Sequence, residues 1–182
     1  MRAEVACRRF WRAAIAWAVC AGLLLSSLGC GGTSSTSVTD GNAWATKTQQ
    51  LCREKRAAIV RLGYIHITYA GIARVGLPSV KRSLERYLGR LLAVLRDFSQ
   101  RQQQFATPPS LVPTMKQATE VDAESQQATS RLRQEVANTK TAAGLSAAFQ
   151  RWTASLQRLA ARGDALARQL NLPDCKSNSA SP

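Results

Sequence analysis

Apolar residues recur at steps of three and four through most of this chain. Leu84, Leu88, Leu91, Leu95, Phe98 and Phe105 follow that rhythm with only Gln102 interrupting it. Leu145, Phe149, Trp152, Leu156, Leu159, Leu166 and Leu170 repeat it, broken at Gly163. Such seams predict amphipathic helices packed at shallow angles. Ser79, directly after Pro78, offers a side-chain cap for the first of them. From Thr114 to about Lys140 the seam is poorer (Ala118, Val121, Ala128, Leu132, Val136), and its small residues let helices approach closely. Between Ala43 and Arg74 the first half is helical in spacing, through Trp44, Leu51, Ala58, Ile59 and Leu62. Beyond Gly63, the run from Tyr64 to Tyr69 is β-branched and aromatic, as a strand would be. A lone strand has no partner here, so the spacing predicts a helix kinked near Gly63.

Prolines stand at three places between these intervals: Pro78, then Pro108, Pro109 and Pro113, then Pro173. That is where proline belongs in a helical chain, since inside a helix it deletes a hydrogen bond and clashes with the preceding turn. Four intervals of similar length, each roughly 40–48 Å as helix, predict an all-α fold. Its expected form is an antiparallel four-helix bundle over residues 43–175. Residues 30–42 are small and polar and read as a flexible tether, and 176–182 as a disordered tail.

The N-terminus has a different pattern. Arg2, Arg8, Arg9 and Arg12 precede an uncharged apolar run from Ala13 to Leu28, then Gly29 and Cys30. A basic segment, an apolar segment and a small residue make a cleavable secretion signal over residues 1–29. The stretch resembles a bacterial lipoprotein signal, although Ser27 and Leu28 depart from the commonest order before the small residue. The resemblance implies acylation of Cys30, with palmitate among the expected groups, and anchoring on the extracytoplasmic side of the cell membrane. The alternatives are an ordinary signal cut elsewhere or an uncleaved anchor. For the latter the apolar run falls short of the roughly 20 residues that span a bilayer.

With the signal removed, Cys52 and Cys175 are the cysteines left beside Cys30. An even pair in an oxidising compartment predicts one disulfide. Parity supports it, because an even number of antiparallel helices returns both chain ends to the same end of the bundle. The paired segments Leu-Cys-Arg-Glu-Lys-Arg-Ala-Ala-Ile, from Leu51, and Leu-Asn-Leu-Pro-Asp-Cys, from Leu170, resemble those of small helical bacterial lipoproteins with no assigned activity. That resemblance implies architecture and transfers no functional residue.

The chain holds 25 basic and 11 acidic residues. The first 29 residues contain four of the former and one of the latter, so 21 and 10 remain, a net charge of +11. Basic proteins often bind nucleic acid. On an exported chain, anionic lipid or wall polymer is met first, a protein partner is also compatible, and nucleic acid is not the expected partner. Arg82, Arg86 and Arg90 form one stripe at helical spacing, which Glu85 can partly neutralise. Arg151, Arg158 and Arg162 form another. These six are the candidate anion-binding residues. The plain alternative is a solvated face whose arginine stems cover apolar seams.

No catalytic, metal or cofactor site is expected. His66 is the single histidine and lies between Ile65 and Ile67, without a carboxylate or nucleophile near it in sequence. Glu120, Asp122 and Glu124 read as a solvated helix face, because carboxylate metal sites in bundles pair with histidines. Phosphate-loop, dinucleotide and nucleophile-elbow motifs are absent from the sequence. The leading expectation is a lipid-anchored binding or assembly module. Its rivals are a membrane-anchored nucleic-acid binder and a helical carrier of an apolar ligand.

Overall fold

The computed structural model of this protein describes residues 36–177. The expected signal segment, Cys30 and residues 178–182 lie outside them. Among the described residues the fold is all-helical, with no strand. Its helices are α1 (Thr36–Leu62), α2 (Tyr69–Val75), α3 (Leu77–Gln103), α4 (Val112–Asn138) and α5 (Ala142–Gln169). Two 3-10 turns, Pro109–Leu111 and Pro173–Cys175, complete it.

Five helices therefore stand where the spacing predicts four. The difference arises at Gly63, where α1 ends instead of kinking. Gly63 takes φ +80°, a left-handed conformation open to glycine, and its N–H donates to the Val60 carbonyl. Residues 63–68 are neither helix nor strand. Ile65 and Ile67 pack against the core, which explains why this run is β-branched. Thr68 then caps α2, its hydroxyl accepting from the Gly71 N–H at 3.0 Å. At the other end α1 begins at Thr36 and takes in residues 36–42, part of the segment predicted as tether. Trp44 anchors that end by packing with Met115, Leu170 and Leu172.

Gly76, at φ +89°, turns the chain from α2 into α3. Pro78 occupies the first turn of α3, where a missing N–H breaks no helical bond. Ser79 does not cap this helix. It lies inside the first turn, and its hydroxyl accepts from Arg82 Nη2 at 3.3 Å. Pro113 opens α4 in the same manner. Thr141 caps α5, accepting from the Gly144 N–H at 3.1 Å.

The predicted seams supply most of the core. Leu84, Leu88, Leu132, Val136, Leu145 and Ala148 join α3, α4 and α5, with Ile72 of α2 laid over them. Leu88 and Leu145 are wholly buried, and each contributes about 1.5–3 kcal/mol through removal from water. Val121, Leu159 and Leu166 form a second cluster between α4 and α5. Leu95 and Leu156 are only partly buried, while Leu92 and Ala167 take buried places off the predicted seams. Helix α4 packs on both α3 and α5, α1 packs on α3, and α2 bridges α3 and α5.

Candidate functional site

Cys52 of α1 and Cys175 form a disulfide. The chain reaches this bond by a tight reversal after α5. Asn171 adopts φ +53°, a conformation that asparagine tolerates better than most residues. The Leu172 N–H donates to the Ala167 carbonyl at 2.8 Å, and the Asn171 N–H to the Arg168 carbonyl at 3.1 Å. This is a Schellman ending, which satisfies the last carbonyls of α5 and turns the backbone toward α1. Leu172 is buried, and the 3-10 turn then presents Cys175. Arg56 of α1 donates to the carbonyls of Asp174 and Lys176 at 2.8 and 2.7 Å, and Arg53 pairs with the Asp174 carboxylate. The reversal is a compact turn.

The six candidate arginines divide into two unlike sets. Arg151 donates to Glu135 at 2.8 Å and Arg162 to Glu124 at 2.7 Å, both from α5 to α4. Those two spend their charge on a neighbouring helix, although pairs this exposed stabilise the fold by less than about 1 kcal/mol. Arg158 is exposed without such a partner among the described residues. Arg82, Arg86 and Arg90 are all exposed, and no carboxylate lies within ion-pair distance of them among the described residues. Glu85 does not pair with the stripe. The α3 arginines thus keep their full charge over a line of about 12 Å.

Two tyrosines accompany that line. Tyr87, half-buried, lies between Arg86 and Arg90 in sequence, and Tyr64 is 92% exposed. Burial pushes the Tyr87 phenol above its ordinary value, the neighbouring Tyr64 phenol adds to the rise, and Arg90 partly opposes it. Charge periodicity alone overlooks both rings. Tyr64 lies in the connector by which the chain leaves α1 at Gly63. Val60, Tyr69 and Val75 are also exposed.

The acidic cluster is divided among structural roles. Asp122 accepts from Lys55 of α1 at 2.7 Å, Glu124 pairs with Arg162, and Glu120 faces solvent. Glu54 accepts from Arg101 at 2.6 Å, and Arg101 also lies 5.0 Å over the Phe98 ring, tying α1 to α3. The Arg101 hydrogen bond, then that of Gln50, holds the Glu54 carboxyl below its ordinary value. His66 is exposed. Among the described residues no three His, Cys, Asp or Glu side chains converge as metal ligands, and no helix is long and apolar enough to cross a membrane.

Comparison with protein-family models, curated proteins and solved structures finds no match to this chain.

Proposed function

We propose that this protein is a lipid-anchored module of the cell envelope, held at the extracytoplasmic face of the membrane by acylated Cys30. In this reading its α3 surface binds an anionic lipid or wall polymer. We read α1, α3, α4 and α5 as an antiparallel four-helix bundle with α2 as a short buttress. The pairs Glu135–Arg151 and Glu124–Arg162, running in opposite order along α4 and α5, support that reading. So does Lys81 near the start of α3, which donates to carbonyls of Ala137 and Thr139 at the end of α4.

The observation that carries the functional reading is the contrast between the two arginine stripes. All three arginines of the α3 stripe are left without an ion-pair partner, whereas two of the three on α5 are paired, and this supports an anionic partner at α3. Tyr64 and Tyr87 suit a headgroup boundary, where amphipathic rings gather. An acyl chain together with a basic patch supplies the two signals that stable membrane residence requires. Each arginine near an anionic surface is worth about 1 kcal/mol, so three account for about two orders of magnitude in binding.

The test compares a signal-free, unacylated form with its Arg82→Ala/Arg86→Ala/Arg90→Ala variant. Both are sedimented with phosphatidylglycerol and with phosphatidylcholine vesicles at 0.1 M salt. The reading predicts binding to the anionic vesicles alone and its loss in the variant, while Arg151→Ala/Arg162→Ala changes it little. Equal binding to both vesicle types, or an unaffected triple variant, counts against it. The exposed Tyr64 also favours base stacking, so single-stranded nucleic acid bound more tightly than anionic vesicles would return the nucleic-acid reading to first place.

A further inference from the structure

The described residues include two buried threonines, and they differ in one respect. Thr129, fully buried on α4, donates to the Ser125 carbonyl at 2.8 Å and accepts from Trp152 Nε1 at 3.3 Å. Thr48 on α1 is 2% exposed, and its hydroxyl has no hydrogen-bond partner among the described residues. Helical threonines elsewhere satisfy this group locally. Thr46, Thr119 and Thr153 each donate to the carbonyl four residues earlier. A buried hydroxyl left unpaired costs on the order of 1–3 kcal/mol, so an arrangement that keeps one invites a partner from outside the chain.

Thr48 lines a partly open cavity of about 110 Å³ formed by residues of α1, α3, α4 and α5. Most of its wall is apolar, including Leu51, Phe98, Val121 and Leu166, and Gly163 adds no side chain to fill it. The Lys55–Asp122 pair forms part of the remaining wall, and both side chains are about a quarter exposed. The cavity also touches the Cys52–Cys175 bond, whose fixed turn holds one wall in place. Its size is somewhat below that of an apolar cavity of about 150 Å³ known to admit benzene.

We propose that this cavity binds a small neutral molecule with an apolar body and one hydroxyl or carbonyl oxygen, which pairs with Thr48. The apolar wall supplies affinity without direction, and the single hydroxyl supplies selectivity. A hydrocarbon of the same shape leaves Thr48 unpaired and binds more weakly, because a site built around one hydrogen bond discriminates against a guest that lacks it. The site is independent of the α3 arginines and of the anchor.

The test uses the full chain in lipid nanodiscs with labelled methyl groups, followed by NMR as guest is added. The probes are cyclopentanol and methylcyclopentane, alike in shape, with concentrations referred to the aqueous phase. The proposal predicts saturable shifts at Leu51, Val121 and Leu166, and cyclopentanol preferred by roughly tenfold, the worth of one hydrogen bond. Thr48→Val keeps the side-chain volume and should abolish that preference while still binding both probes. Gly163→Ala, whose new Cβ lies 3.9 Å from Val121 Cγ1, should narrow the cavity and weaken both probes without disturbing the fold. Absence of saturable shifts with either probe overturns the proposal, as does an unchanged preference in Thr48→Val.

Discussion

Replacing Cys52 and Cys175 together by alanine removes a cross-link between residues 123 positions apart. A loop of that length, opened in the unfolded chain, is worth about 5 kcal/mol by the chain-entropy relation. The folded state changes far less. Trp44, Leu170 and Leu172 stay packed together, and Arg56 still grips the carbonyls of Asp174 and Lys176. The loss therefore falls on the unfolded ensemble, and 5 kcal/mol is its upper value. Domains of this size are stable by about 5–15 kcal/mol in total, so the change is large. With a urea dependence of about 2 kcal/mol per molar, the midpoint falls by up to about 2.5 M. The slope itself rises, because an unlinked chain exposes more surface on unfolding. Urea unfolding, followed by circular dichroism and by tryptophan fluorescence, measures both quantities. A loss below about 1 kcal/mol with an unchanged slope refutes the reasoning.

Gly89 lies inside α3, and a Cβ placed there meets nothing within 4 Å. Gly89→Ala should accordingly stabilise the fold by about 0.5–1 kcal/mol, and a lower melting temperature would show that the site is closer packed than the geometry indicates. Glu54 has its carboxyl held below the ordinary value by Arg101. Its contribution is present above the ordinary carboxylate value and is lost as pH falls through the depressed one. As pH falls below the ordinary carboxylate range, the melting temperature of the wild type should therefore fall more steeply than that of Glu54→Gln, and parallel acid slopes would contradict this.

The seams of α3 and α5 were legible because their leucines and aromatics repeat without a competing pattern. Residues 64–69 were not, because Ile65 and Ile67 turn inward only once α3, α4 and α5 supply a core for them. The left-handed Gly63 that permits this reads in sequence as a mere kink. The pairing of Arg151 and Arg162 depends on the register of α5 against α4, which spacing within one helix does not reveal. Thr48 carried a signal in plain view, since it sits between Trp44 and Leu51 at steps of four and three. A polar residue on an apolar seam marks either a satisfied core group or a site. Only the packed structure separates Thr48, unpaired, from Thr129, doubly bonded. The Cys52–Cys175 bond was legible from cysteine count, whereas the Schellman turn that delivers it rests on a single asparagine.

The claim that joins these parts is that the domain is held at a membrane by Cys30 and locked by Cys52–Cys175. Intact-mass measurement of protein extracted from its native membrane, with and without reductant, tests it most directly. The account predicts a chain that begins at Cys30, carries lipid and gains the mass of two hydrogens on reduction. A full-length, unmodified chain with both thiols already free would contradict it.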